Sequence, residues 1–363
     1  MLITIVAGAR PNFVKVAPII RAIQAAQDEG ARIDYRLVHT GQHFDQKMSG
    51  DFFDQLKIPA PHANLHCSAG TVIQQTASIM CQIEDELVQN KPDIVLVVGD
   101  VTSTMAAAIA AKKLGIHTAH VEGGIRSGDL NMPEELNRIV TDAISDTFFT
   151  TSKTASANLI ESNIPEEKIH FVGNTMIDTL LFHLQDIQKP NFWDALNLKA
   201  KNYFLLTLHR PSNVDDPVKL QALLTEIASL TRHAQVVFPA HPRTLKCIES
   251  NHINCYSIQI IPPQPYLEFI YLIKNAKAII TDSGGITEEA TILDVPCITM
   301  RNTTERPETV THGTNELVGE DMGLLAKMLN KIEKGDWKLN QGPALWDGKT
   351  AERIVNILLC KKD

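Results

Sequence analysis

Paired cysteines, the common nucleotide fingerprints and long apolar runs are all missing from this chain. Its six cysteines (Cys67, Cys81, Cys247, Cys255, Cys297 and Cys360) are scattered, with no Cys-x-x-Cys. That excludes a disulfide framework and leaves His and Cys without the spacing of metal ligands, so no metal is expected. Gly-x-Gly-x-x-Gly and the Walker motif are absent, which removes the usual dinucleotide and P-loop readings. Gly-x-Ser-x-Gly is absent too, so Ser283 is no nucleophile elbow. No run approaches the ~20 apolar residues of a membrane span. The first apolar run, Leu2 to Val6, is too short for a signal-peptide core. A reduced, cytoplasmic protein is the expectation. The net charge of −8 argues against a broad nucleic-acid surface, which needs clustered Lys and Arg.

What is present describes a globular chain: 44% hydrophobic and 21% charged residues over 363 positions, enough for two domains. Short β-rich runs alternate with helix-period stretches. Strands are expected at 2–7, 35–40, 94–98, 118–121, 147–151 and 170–172. The pattern breaks around 184–197 and restarts after residue 190, with strands expected at 203–208, 235–239, 257–261, 278–281 and 297–300. Helices are expected at 14–27, 72–89, 105–114, 134–145 and 350–359. Such alternation implies parallel sheets covered on both faces. The fold class is therefore α/β, with two Rossmann-like doubly wound domains facing a central cleft, and ligands at the carboxyl ends of the strands.

The candidate residues all follow expected strands. Thr281-Asp282-Ser283-Gly284-Gly285 runs from a buried-looking strand into a helix. The free N–H groups of such a helix start suit a phosphate or diphosphate. Glu289 then needs a partner other than phosphate, and a ribose hydroxyl is a natural one. Arg10 and Lys15 stand at the start of the first helix, as anion ligands or as solvated cations of a plain turn. His43, in Thr40-Gly41-Gln42-His43, is a weak candidate. Asp100 ends an apolar strand, as an acid, base or hydroxyl acceptor, or as a helix N-cap. Glu122 precedes two glycines, a placing that packing explains poorly. Glu134 and Glu135 follow Pro133 in a first helical turn. The helix dipole explains one of them, and Arg138 can pair with either. Asp100, Glu122 and Glu134 together are carboxylates that can divide acid and base roles. His209 is either a diphosphate donor or a general acid/base, and His241 either its companion or a helix-entry residue. Gln264 and Phe269 suit a uracil base, or a capping loop and a core aromatic.

Taken in order, GARPNFVK (8–15), TGQH (40–43), GDVTST (99–104), HVEGGIRS (120–127), MPEELNRIVTD (132–142), LHRPSN (208–213), DSGGITEEA (282–290) and RNTTERPE (301–308) resemble the non-hydrolysing UDP-N-acetylglucosamine 2-epimerases, a family of GT-B architecture. The resemblance spans nearly the whole chain. It implies a domain of residues 1–172 joined by the C-terminal helix 348–363, and a UDP-binding domain of residues 173–347. It implies interconversion of UDP-GlcNAc and UDP-ManNAc through elimination and re-addition of UDP, with no nicotinamide or metal cofactor. Asp100, Glu122, Glu134 and His209 become the catalytic candidates. Arg10, Ser283, Gly284 and Gly285 would bind the diphosphate, Gln264 and Phe269 the uracil, and Glu289 the ribose. Lys15 and Arg306 match positive positions lining the site. A UDP-sugar is the expected partner, in a homodimer without nucleic acid or membrane. The segment His66–Gly70 lacks the arginine through which some members bind an activating second substrate. The alternatives are a relative acting on a UDP-diacetamido uronic acid, a hydrolysing version, a GT-B glycosyltransferase, or a non-catalytic nucleotide-sugar binder.

Overall fold

The computed structural model describes residues 1–42 and 53–360. The chain divides into two compact units, Met1–Phe182 with Ala344–Asp363, and His183–Pro343.

The first unit is built on a seven-stranded sheet: β1 (Leu2–Ala7), β2 (Asp34–His39), β3 (Ala63–Asn64), β4 (Ile94–Val98), β5 (His117–Val121), β6 (Thr147–Thr150) and β7 (Ile169–Phe171). Its order is β3-β2-β1-β4-β5-β6-β7, and every pairing is parallel. Strand β4 is an unbroken apolar run, and β1 is apolar but for buried Thr4, because helices cover both faces of the sheet. The chain winds outward in opposite directions from the β1–β4 junction. Loops diverge there, and ligands in such sheets bind there.

The C-terminal helix Thr350–Cys360 belongs to this unit. Asp178 receives its start, accepting the N–H groups of Thr350 at 3.2 Å and Ala351 at 2.7 Å. That satisfies two of the donors a helix start leaves open. Trp346 ties the approach down by donating from Nε1 to the Thr151 carbonyl at 3.2 Å.

The second unit carries β8 (Tyr203–Thr207), β9 (Gln235–Pro239), β10 (Ile258–Ile261), β11 (Ala278–Thr281), β12 (Cys297–Thr299) and β13 (Asn315–Leu317). The order β10-β9-β8-β11-β12-β13 is again all parallel, with β8 and β11 at the reversal. Leu205, Leu206, Ile279 and Ile280 at its centre are fully buried. Each side chain of this kind contributes about 1.5–3 kcal/mol. The 184–202 stretch forms turns, and buried Trp193 packs edge-on against Tyr203 and Tyr271 within this unit.

Candidate active site

In the first unit, three loops leave the carboxyl ends of adjacent strands β1, β4 and β5. Asn12 holds the first from inside. It folds back from the helix Arg10–Asp28, and its Oδ1 accepts the N–H groups of Gly8 and Ala9, both at 3.1 Å. Its Nδ2 donates to the Val98 carbonyl at 2.9 Å, stitching the exit of β1 to that of β4. Arg10 opens the helix half-buried, and burial pulls its guanidinium down from the ordinary value. Pro11 is tolerated at a helix start, so the helix begins four residues earlier than its periodicity alone indicates.

Lys15 turns inward, and its Nζ lies 2.7 Å from Glu122 Oε2. Both groups are nearly sealed from water. Gly99 lies against them: a Cβ there would stand 3.1 Å from Lys15 Nζ, at a φ of +69°. Both features favour glycine here. Glu122 holds a φ of +71°, uncommon for a residue with a Cβ, and its N–H donates to the Phe149 carbonyl at 2.9 Å. A sheet contact thus holds the backbone twist that aims this carboxylate at Lys15.

Asp100 is not a helix cap. Val101 occupies that position for the helix Thr102–Lys113. The Asp100 carboxylate instead accepts from Arg138 Nη1 at 2.6 Å. Arg138 also grips Glu135 Oε2, from Nε at 3.0 Å and Nη2 at 2.7 Å. Glu135 further accepts the N–H groups of Ser127 (2.9 Å) and Gly128 (3.0 Å). Burial alone would push its carboxyl up, but these donors outweigh burial and hold it below the usual range. Glu134, one residue earlier on the helix Pro133–Ile144, is exposed and carries no side-chain hydrogen bond or ion pair among the described residues. Of the two first-turn acids, Glu135 is the structural one and Glu134 is left facing solvent.

In the second unit, Thr207 and Thr281 link β8 to β11 through their hydroxyls at 2.6 Å. Beyond them lies fully buried Asp282. It accepts from His209 Nδ1 at 2.8 Å, from the Arg210 N–H at 3.0 Å and from Asn213 Nδ2 at 2.9 Å. Burial opposes its charge, yet His209, Asn213 and the Arg210 N–H prevail and keep it below the ordinary value. His209 is half-exposed, so its ring is oriented by a buried anion while its other edge faces outward.

Ser283 is the N-cap of the helix Gly284–Ile292, and its own N–H donates to Thr281 Oγ1 at 2.9 Å. Gly284 and Gly285 leave the first turn without side chains. Nearby, Arg301 clamps Glu305 with two bonds, at 2.8 and 2.7 Å. Although burial opposes it, that clamp holds Glu305 down at about 2. Arg306 pairs with Glu288. Glu289 is buried, and burial together with the neighbouring Glu288 charge raises it to about 8, with the Tyr266 phenol beside it. Tyr266 opens the helix Tyr266–Asn275, which carries half-buried Phe269. Gln264 lies two residues before that helix and donates to the Pro262 carbonyl at 2.7 Å. The two uracil candidates and the ribose candidate therefore share one neighbourhood.

His241 caps the helix Pro242–Ser250, with Nδ1 accepting from the Arg243 N–H at 3.3 Å. The helix-entry reading is the one its geometry supports. His43 lies outside the described residues. Its neighbour Gln42 accepts from Ser103 Oγ at 2.7 Å, tying the exit of β2 to the helix after β4.

Sequence reasoning passed over three groups. Asp282 was visible as an acid ending an apolar strand, the same signal that singled out Asp100. Asn12 and the His120–Asp142 pair carried no spacing signal.

The match to known proteins covers the whole chain. The family model described as UDP-N-acetylglucosamine 2-epimerase matches residues 25–359. A UDP-N-acetylglucosamine 2-epimerase of Methanocaldococcus jannaschii is 43% identical over 373 residues, covering 99% of both chains. A crystal structure of the M. jannaschii enzyme in complex with UDP-GlcNAc and UDP superposes with a TM-score of 0.86, again covering 99% of each. A UDP-2,3-diacetamido-2,3-dideoxy-D-glucuronate 2-epimerase of Pseudomonas aeruginosa is 39% identical over 366 residues, covering 99% of both chains. Two Rossmann-like units, the ordered motifs at their strand ends and an end-to-end match at this identity lead to one conclusion: the chain belongs to the UDP-N-acetylglucosamine 2-epimerase family.

Proposed function

We propose that this protein inverts carbon 2 of UDP-GlcNAc to give UDP-ManNAc, by anti elimination of UDP and syn re-addition. The observation that carries the reading is the pairing of Glu122 with Lys15 and of Asp100 with Arg138 at the ends of β5 and β4, in a chain matched throughout by named epimerases.

The chemistry asks for what these residues offer. A base removes the proton at carbon 2, and that C–H electron pair becomes the C1=C2 bond. The C1–O bond breaks, and its electrons leave with UDP. The product is 2-acetamidoglucal. A UDP oxygen then attacks carbon 1, and an acid delivers a proton to the opposite face of carbon 2. No oxidation state changes overall. Asp100, Glu122, Glu134 and His209 supply the proton transfers. Lys15 and Arg138 hold Glu122 and Asp100 in place, as preorganised sites require. Arg10, His209, the Ser283 hydroxyl and the N–H groups of Gly284 and Gly285 hold the diphosphate while it is leaving group and then nucleophile. Gln264 and Phe269 take the uracil, and Glu289 the ribose. Lys15 and Arg306 enter already paired with Glu122 and Glu288, so their charge acts through those carboxylates.

The P. aeruginosa relative favours a second reading, in which the sugar is a UDP-linked diacetamido uronic acid. Incubating the protein separately with UDP-GlcNAc and with UDP-2,3-diacetamido-glucuronic acid, then resolving the products, decides between them. UDP-ManNAc from the first supports the leading reading. Turnover of the second substrate alone replaces it.

A further inference from the structure

We propose that His120 is a positioning residue for the Asp100 and Glu122 carboxylates, which it aims by donating from Nε2 to the Gly99 carbonyl. The catalytic part rests on the epimerase reading; the hydrogen-bond part does not.

His120 lies on β5, two residues before Glu122, and is fully buried. Its Nδ1 is 2.7 Å from Asp142 Oδ1, and its Nε2 is 2.9 Å from the Gly99 carbonyl oxygen. A neutral imidazole has one N–H and one acceptor nitrogen. A peptide carbonyl has no proton to give. Nε2 therefore donates to Gly99, and one proton lies between Nδ1 and Asp142 Oδ1, while Asp142 Oδ2 accepts from Arg126 Nη1 at 2.6 Å and from the Gly124 N–H at 3.1 Å. Burial opposes the Asp142 charge, but His120 and Arg126 overcome it and hold the carboxyl below the ordinary range. Asp142 thus anchors one edge of the ring, and the other edge donates to Gly99. The charged groups around the ring are Asp142 and, through it, Arg126; Lys15 and Glu122 lie on the far side of Gly99.

The Nε2–H completes a clamp. The Val98 carbonyl accepts from Asn12 Nδ2 at 2.9 Å and from Thr104 Oγ1 at 2.7 Å. The Gly99 carbonyl accepts from His120, and the Asp100 carbonyl from Asn137 Nδ2 at 2.8 Å. Three successive carbonyls are each held by a side chain from another element. The middle one belongs to a glycine, whose backbone is the freest to rotate. That peptide carries Asp100 on one side and lies against the Lys15–Glu122 pair on the other. Loosening it moves both carboxylates relative to carbon 2, while the nucleotide contacts assigned to the second unit are untouched. A buried ion pair retained only for stability could be replaced by apolar residues at little cost. A contact that fixes the peptide beside two catalytic carboxylates could not.

The test joins a spectrum to kinetics. In the full-length protein with 15N-labelled histidine, the His120 ring is assigned as the resonances lost in His120→Gln. The expected wild-type signature at neutral pH is a proton on Nε2 that exchanges slowly with solvent, and faster in Asp142→Asn. Both variants, once shown to be folded by their melting curves, should lose about 10- to 100-fold in kcat. Their Kd for UDP should stay within about twofold. A wild-type ring without a proton on Nε2 overturns the proposal. So does an unchanged kcat in both variants, or a kcat loss matched by lost UDP affinity. If the wild type does not epimerise UDP-GlcNAc, the functional reading fails, and the ring spectrum still decides whether His120 holds Gly99 as described.

Discussion

Lys15 and Glu122, 107 residues apart in the chain, meet at 2.7 Å with less than a tenth of either side chain exposed. The pair joins the first helix to the loop after β5, and the Gly99 turn packs against it. A buried pair of this kind adds little net stability over apolar residues, but either partner left alone is a buried unpaired charge.

Lys15→Met should therefore destabilise the fold by about 3–5 kcal/mol and abolish turnover. Adding Glu122→Leu should restore most of the lost stability without restoring activity. Melting temperatures of the single and double variants check this. A single variant as stable as wild type would show that the pair is not sealed as described.

Asp282→Asn leaves one acceptor oxygen where His209, Arg210 and Asn213 now all converge. Turnover should fall by about 100-fold or more, because His209 loses the anion that orients it. Asp282 is held below its ordinary value, so it contributes stability above the usual carboxylate range and loses it as pH falls through its folded value. The variant should show a flatter acid limb in melting temperature against pH. Parallel acid limbs would contradict the assignment.

Glu289 gives the opposite sign. Its folded value, raised by burial to about 8, lies above the unfolded value of about 4.3. The stability it contributes is complete below the unfolded value and is lost as pH climbs towards the folded one. Glu289→Gln mimics the protonated form. It should gain on wild type in melting temperature between pH 5 and pH 8.5. Curves that stay parallel over that window would mean that Glu289 is ionised throughout.

Much of the fold was legible because a parallel strand buried on both faces is a continuous apolar run. Leu2–Ala7, Ile94–Val98, Gln235–Pro239 and Ala278–Thr281 fall where the sequence puts them. The edge strands Ala63–Asn64 and Asn315–Leu317 did not show, since two or three residues with an asparagine make no pattern. At the site, composition could not separate Glu134 from Glu135. They differ by one step of about 100° around a helix, which buries one and exposes the other. Asp142 reads as an ordinary helical acid until His120 and Arg126 arrive from β5 and the loop after it. Tertiary pairings of this kind leave no trace in spacing.

The central claim is that the bond between carbon 2 and its hydrogen breaks and re-forms on the far face. Incubating the protein with UDP-GlcNAc in deuterated water and following carbon 2 by NMR tests it most directly. The account predicts UDP-ManNAc appearing with deuterium at carbon 2, and none in Asp100→Asn or Glu122→Gln over the same period. Inversion without deuterium at carbon 2, or no inversion at all in the wild type, would contradict it.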